Sequence, residues 1–213
     1  MSCAICQTRR PKRFCPGVRG SICTICCGTE REVTVGCPLD CEFLRDARLH
    51  EKPVSLDEDR IPNSDIRITE EFLEKQAPLL SFLVRTLAGA ALEIPGVVDF
   101  DLRDALEALI RTYRTLRSGV YYESVPENAL ARDLFRSVQR GLDEFRKEQQ
   151  QNRGVFTIRD ADILGILAFL QRMELAKNNG RRRGRAFIDL LCGLSAEREA
   201  DLAETGNSRL VLP

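Results

Sequence analysis

Hydrophobic residues recur at three- and four-residue steps through most of the chain after residue 69, which is the period of a helix with one buried face. Thr69 predicts an N-cap for the first of these helices, Pro78 predicts a kink or a restart, and residues 95–96 predict its end. The same pattern predicts a second helix whose apolar face runs over 102–116 and a third whose face runs over 130–145.

A fourth helix is predicted to lie at the centre of the fold, because residues 163–170 are apolar nearly all round. Thr157 and Asp160 resemble a capping box that would begin this helix. A fifth helix is expected over 187–191, and a separate short helix is expected from Ser195. The pattern therefore indicates a mostly α-helical protein with a bundle of four to six helices.

The first 41 residues lack this periodicity, because proline and glycine interrupt every candidate stretch. Only residues 32–35 alternate between polar and apolar side chains, which predicts one short strand. Residues 42–50 regain helical spacing and predict a short helix that Pro53 ends.

The chain is therefore predicted to have three parts. Residues 1–52 form a cysteine-rich module with a short exit helix, 53–68 form a polar linker, and 69–213 form an α-helical bundle. No apolar run approaches the roughly 20 residues of a membrane-spanning helix, and the first residues lack the features of a secretory signal. We therefore expect a cytoplasmic protein with no membrane partner.

The cysteines are the most informative residues, since eight of the nine fall within the first 41 of 213 positions. Two Cys-x2-Cys pairs are present, and such a pair lets two thiolates converge on one ion. Eight thiols at these spacings suit structural zinc sites of four cysteines each, about two Zn²⁺ per chain. The predicted ligands are Cys3, Cys6, Cys15, Cys23, Cys26, Cys27, Cys37 and Cys41.

Disulfides, an iron–sulfur cluster and redox-active thiols are the rivals to zinc. A reducing cytosol opposes disulfides, and the Cys-x2-Cys-x2-Cys run typical of ferredoxins is absent. The adjacent Cys26 and Cys27 suit a redox switch, in which oxidation ejects zinc and unfolds the module. Structural zinc is the favoured prediction, and a redox-switched zinc–thiolate protein is the alternative.

The module resembles a known class of zinc finger. The residues that are similar to the two-zinc cross-brace fingers of the HIT and MYND types are Cys3-x2-Cys6, Phe14-Cys15-Pro16, Cys23-x2-Cys26 and Cys37-x3-Cys41. Cys26-Cys27-Gly28 is similar to the terminal pair of the SEC-C motif, and residues 26–41 are also similar to the starts of some bacterial proteins that carry no assigned activity. The resemblance to these fingers implies a protein- or nucleic-acid-interaction module and not a catalyst.

Two features depart from the HIT pattern, because Val18 stands where a second cysteine is expected after Cys15, and Cys27 is extra. If Cys27 supplies the missing ligand, the resemblance implies two complete sites. They are Cys3, Cys6, Cys23 and Cys26 at one, and Cys15, Cys27, Cys37 and Cys41 at the other. Exchanging Cys23 with Cys27 gives an equally complete pair of sites, and the sequence leaves both arrangements open.

Net charge selects no partner, because 32 basic and 32 acidic residues cancel. Two local arginine-rich stretches are candidates for contact with nucleic-acid phosphates. They contain Arg9, Arg10 and Arg13 in the module, and Arg181, Arg182, Arg183 and Arg185 between the last two long helices. The competing interpretation is that the first stretch offsets zinc–thiolate charge and that the second answers a helix C-terminus.

Four other residues suggest no site. His50, the only histidine, is predicted to lie at the surface and not to bind zinc. Tyr121, Tyr122 and Cys192 are predicted to be core residues.

Catalysis finds little support, since the chain has no glycine-rich phosphate loop, no Gly-x-Ser-x-Gly and no His-Glu-x-x-His. We expect a non-catalytic zinc-binding protein whose module presents a rigid surface to a protein or a nucleic acid. The bundle is expected to form a homo-oligomer or to recognise a second partner. A nucleic-acid-binding regulatory protein that uses the arginine-rich loops is the more specific alternative.

Overall fold

The computed structural model describes residues 2–52, 61–153 and 158–207, which form two short strands and eight helices. Strands β1 (Arg13–Cys15) and β2 (Gly20–Ile22) pair antiparallel in one hairpin. The helices are α1 (Thr24–Glu30), α2 (Glu42–Leu49), α3 (Glu70–Lys75), α4 (Ala77–Glu93), α5 (Asp99–Arg117), α6 (Ala129–Arg153), α7 (Asp160–Lys177) and α8 (Ala186–Asn207). The predicted mostly α-helical class is confirmed.

Helices α5 and α7 form the centre of the bundle and pack along each other. Helix α6 covers α5 and α4, and α8 lies against α4 and α7. Helix α7 is buried nearly all round, as its sequence predicts, and Ile163, Ile166 and Leu167 have no exposed surface. Burial of these apolar side chains is the main favourable contribution to the stability of the bundle.

Helix boundaries at Thr69 and Pro78 follow the sequence prediction. The Thr69 hydroxyl accepts a hydrogen bond from the Phe72 N–H at 3.2 Å and caps α3. Pro78 lies in the first turn of α4, where its missing N–H breaks no helical hydrogen bond. Helix α7 begins at Asp160 with Arg159 as its N-cap, and Thr157 lies outside the described residues.

Three local predictions are wrong. Helix α8 continues through Ser195, because Leu194 still packs against the bundle core. Residues 32–35 form a tight loop closed by a bridge between Arg31 and Val35, and the strands lie earlier in the chain. Tyr121 and Tyr122 are 71% and 65% exposed in the extended segment after α5, so they are not core residues.

The cysteine-rich module has a small core of its own, formed by Ile22 and buried cysteines. Helix α2 follows the module, as residues 42–50 predict, and Leu39 just before it packs against the bundle core. Residues 61–68, the described part of the predicted linker, also lie on the bundle: Ile66 is buried, and the Asn63 amide donates to Gln171 at 2.7 Å. None of the described helices is long and apolar enough to cross a membrane.

Candidate metal centre

Four cysteines from two separate segments meet at one point of the module. Cys3 and Cys6 flank an N-terminal turn, in which the Gln7 N–H donates to the Cys3 carbonyl at 2.8 Å. Cys23 is the N-cap of α1, and Cys26 lies in the first turn of that helix. The sulfur atoms of Cys3, Cys6, Cys23 and Cys26 all lie within 4.8 Å of one another.

Backbone N–H groups point at the sulfur atoms of this cluster. The Cys23 N–H donates to the Cys3 sulfur at 3.2 Å, and the Cys26 N–H donates to the Cys23 sulfur at 3.4 Å. Such bonds stabilise thiolates and not thiols, because a thiolate is the stronger acceptor. The backbone is therefore arranged for anionic sulfur before any ion is considered.

Within the cluster, the pKa values of Cys6 and Cys26 are shifted in opposite directions. The Thr8 hydroxyl, followed by backbone N–H groups, lowers the pKa of Cys6 to about 5. Burial, together with neighbouring thiols, raises the pKa of Cys26 to about 12. The Arg9 guanidinium lies beside the Cys23 sulfur, and that hydrogen bond raises the pKa of Arg9. A divalent cation would displace the protons that thiols such as Cys26 otherwise retain.

This donor set fits zinc. A tetrahedral Zn²⁺ with four sulfur ligands at about 2.3 Å requires sulfur atoms about 3.8 Å apart, close to the observed cluster. Four thiolates leave no coordination position for water, which is the arrangement of a structural site and not of a catalytic one. The chain therefore carries a potential four-cysteine zinc site in a module that is too small to be stabilised by its apolar core alone.

The other four predicted ligands line one small cavity beside α1, together with Cys26 of the cluster. Its volume of about 20 Å³ is room for one water-sized particle. Cys15, Cys27, Cys37 and Cys41 line it together with Phe43 and Leu44. Among the described residues, only the first four cysteines have sulfur atoms within 4.8 Å of one another, so this second set is more open.

The thiols of the second set nevertheless interact with one another and with nearby arginines. Burial raises the pKa of the Cys37 thiol, and the Cys15 and Cys41 thiols add to this effect. The guanidinium groups of Arg13 and Arg31 donate to the Cys27 sulfur at 3.7 and 3.8 Å. The adjacent Cys26 and Cys27 thus differ in their surroundings: both line the cavity, and Cys26 also belongs to the cluster.

The structure places the arginines of the first candidate stretch in two environments. Arg9 faces the cluster, and Arg13 stacks over the Phe43 ring at 3.8 Å while it donates to Cys27. Arg10 is exposed. Arg9 and Arg13 therefore offset thiolate charge, as the competing interpretation of the sequence expects.

The second candidate stretch lies where the bundle meets the module. The Arg181 guanidinium donates to the Arg31 carbonyl at 3.2 Å, and the Arg183 N–H donates to the Glu32 carbonyl at 2.7 Å. The Arg185 N–H donates to the Glu32 carboxylate at 3.1 Å, whereas the Arg182 side chain is exposed. Contact with nucleic acid through these residues stays a prediction.

Glu32 is the residue that sequence reasoning missed. Its side chain has no exposed surface, although an acid in an alternating run is ordinarily solvated. The Arg48 guanidinium and the Asn179 amide each donate to this carboxylate at 2.8 Å. No sequence motif indicates such a residue, because partners such as Asn179 and Arg185 lie far along the chain from it.

Two single residues remain, His50 and Cys192, and neither belongs to the cysteine cluster. His50 is exposed, as predicted, and its Nε2 atom lies 3.9 Å from the Asp46 carboxylate. Cys192 is half-buried against the bundle core.

No protein family, curated protein or solved structure matches the chain. The resemblance to HIT, MYND and SEC-C modules therefore stays a prediction based on cysteine spacing. The four-cysteine cluster supports the coarser assignment, a zinc-binding module at the N-terminus of a helical protein.

Proposed function

We propose that this chain is a non-catalytic zinc-binding protein whose module is folded by two zinc ions and presents a surface to a partner. The observation that carries the proposal is the convergence of four cysteine sulfur atoms within 4.8 Å. One zinc binds Cys3, Cys6, Cys23 and Cys26. The second binds Cys15, Cys27, Cys37 and Cys41, which all line one small cavity.

The charges around the second set support its role as a metal site. A four-thiolate zinc site carries a net charge of about −2, which nearby cations must offset. Arg13 and Arg31 approach the Cys27 sulfur from two different elements. At the first set, the Arg9 guanidinium offsets thiolate charge in the same way.

Metal counting tests this part of the proposal. We expect native mass spectrometry of anaerobically purified protein to give about two zinc ions per chain and no visible colour. The Cys37→Ser variant should lose about one ion, and Cys192→Ser, a change outside the module, should lose none. One zinc in the wild-type chain would disprove the second site, and iron with absorbance near roughly 400 nm would disprove structural zinc.

For the partner, an exposed aromatic residue favours single-stranded nucleic acid. Phe14 is 62% exposed on β1, and its paired residue Ser21 is exposed as well. Arg10 and Lys12 are exposed immediately before the strand. An exposed ring with adjacent cations suits a stacked base whose phosphates lie alongside.

Fluorescence anisotropy with a labelled oligothymidylate at about 50 mM salt tests this partner. The Phe14→Ala variant should lose about tenfold in affinity, because stacking contributes roughly 1–3 kcal/mol per base. Ile25→Ala removes another exposed apolar side chain of the same module and is the matched control. No binding at low salt would exclude nucleic acid, and a protein partner would then be the proposal.

A further inference from the structure

Glu32 joins the module to the bundle through both its carboxylate and its carbonyl. Its carboxylate accepts hydrogen bonds from the Arg48 side chain, the Asn179 side chain and the Arg185 N–H. Its carbonyl accepts from the Arg183 N–H at 2.7 Å. Its own N–H donates to the Val35 carbonyl at 3.1 Å and closes the loop that holds it.

The loop that holds Glu32 has an unusual backbone. Glu32 has a φ of +54°, a left-handed conformation that a non-glycine residue adopts only when its surroundings impose it. The loop is held at Arg31 and Val35 and lies between Cys27 and Cys37, two of the cysteines at the cavity. Fixing those two cysteines on one ion therefore fixes the two ends of the segment that contains Glu32.

The bundle residues that contact Glu32 all belong to the junction between α7 and α8. Asn179, Arg183 and Arg185 lie in the segment that joins these helices. Arg48 on α2 completes the contact, since it also pairs with Asp189 of α8. Without Glu32, two backbone N–H groups of the junction and two side chains would lose their acceptor.

We propose that Glu32 is a latch through which metal at the Cys15, Cys27, Cys37 and Cys41 set holds the α7–α8 junction of the bundle in order. This inference rests on the second zinc site proposed above. Removing the metal frees the ends of the loop, so that Glu32 leaves the junction. Coupling of this kind is reciprocal, and loosening the junction weakens retention of the metal.

Hydrogen exchange measured on the whole chain, with zinc and after chelation, tests the latch. We expect the amides of Arg183 and Arg185 to exchange at least about tenfold faster once zinc is removed, because each loses its buried acceptor. Amides in the middle of α5, whose hydrogen bonds lie within that helix, should not change. Circular dichroism on the same samples verifies that the bundle remains helical.

The reciprocal experiment uses Glu32→Gln, which keeps the size of the side chain and removes its charge. At equilibrium with a competing chelator, this variant should hold its second zinc about tenfold more weakly than the wild type does. Glu30→Gln is the matched control, because the Glu30 carboxylate accepts hydrogen bonds from Thr29 and Thr34 of the module and not from the junction.

The outcomes separate the latch from the second site. If the wild-type chain holds two zinc ions but the amides of Arg183 and Arg185 exchange at the same rate with zinc and after chelation, the latch is overturned and the second site is not. Equal zinc loss from Glu32→Gln and Glu30→Gln would also overturn the latch. A wild-type chain that holds only one zinc would overturn both the second site and the latch.

Discussion

Asp99 caps a helix that begins far along the chain from it. The carboxylate of this residue, at the start of α5, has no exposed surface and accepts hydrogen bonds from the N–H groups of Phe187 and Ile188 at 3.0 and 3.1 Å. These N–H groups belong to the first turn of α8, where they lack partners within the helix. A carboxylate at a helix N-terminus is also favoured by the helix dipole.

Burial nevertheless makes the Asp99 charge costly. It raises the pKa of this carboxyl from 3.8 to about 6, although the two N–H donors oppose the shift. Between these values the folded state binds more protons than the unfolded state. The contribution of Asp99 to the free energy of unfolding is therefore greatest below pH 3.8 and falls by about 3 kcal/mol as the pH rises to 6.

We expect the Asp99 carboxyl carbon to titrate near pH 6 in a carbon-13 NMR experiment on the folded protein. Asp65 is the internal control, because its hydrogen bond to Arg114 lowers its pKa below 3.8. Asp99→Asn should flatten the dependence of stability on pH between about 4 and 6. Titration of Asp99 together with Asp65 would contradict the effect of burial.

At the scale of an element, α7 can lie close to α3 because residue 165 is glycine. A Cβ atom built on Gly165 would lie 2.6 Å from the Cζ atom of the Phe72 ring. The close approach lets the Phe72 ring cover the most buried helix of the bundle. Gly89 in α4 is also helical, but a Cβ atom there would meet nothing within 4 Å.

These two glycines predict opposite effects of the same substitution. Gly89→Ala should raise the free energy of unfolding by up to about 1 kcal/mol, because alanine is the better helix former. Gly165→Ala should lower it by about 1 kcal/mol, because overpacking of roughly 1–3 kcal/mol exceeds that gain. Urea denaturation of both variants measures the difference. A Gly165→Ala variant as stable as Gly89→Ala would show that the Phe72 ring moves aside without cost.

The helices were predictable because each carries its own signal. Pro78 and Thr69 mark boundaries through local chemistry, and the apolar run in α7 reports burial directly. The end of α8 was missed, since Ser195 resembles an N-cap unless the packing of Leu194 is known. The strand predicted over residues 32–35 was wrong, because alternation does not reveal the left-handed backbone of Glu32 that turns this segment into a loop.

The metal site, like the helices, was predictable in part. Spacing predicted eight cysteines as ligands and left two arrangements of them open. The structure brings Cys23, the N-cap of α1, to Cys3, Cys6 and Cys26, so the cluster contains Cys23 and not Cys27. Glu32 was beyond prediction, since its partners Asn179 and Arg185 meet it only in the folded chain.

On the scale of the whole molecule, the module and the bundle have separate hydrophobic cores. The contact between them is largely polar and centres on Glu32, whose charge is paired with Arg48. Breaking one partner of a buried pair of this kind costs about 3–5 kcal/mol, because the other charge stays buried. The module and the α7–α8 junction are therefore joined through Glu32, while the predicted boundary at 53–68 stays a prediction.

This arrangement bears on the alternative that the module is a redox switch. Three of the four cysteines of the cluster are buried: Cys3 is fully enclosed, and Cys23 and Cys26 have at most 5% of their surface exposed. Oxidation requires an accessible thiolate, and sulfur atoms that are enclosed and bound to zinc react slowly. The burial of the cluster thus favours a structural metal.

We expect about one equivalent of peroxide to release little zinc within minutes, as followed with a zinc-sensitive dye. The half-buried Cys27 is the more accessible of the adjacent pair, so of these two thiols Cys27 should be oxidised before Cys26. Cys192→Ser removes the one cysteine outside the module and is the control for oxidation elsewhere. Rapid release of zinc, reversed by a thiol reductant, would instead identify the module as a redox switch, and the latch at Glu32 would then pass that signal to the bundle.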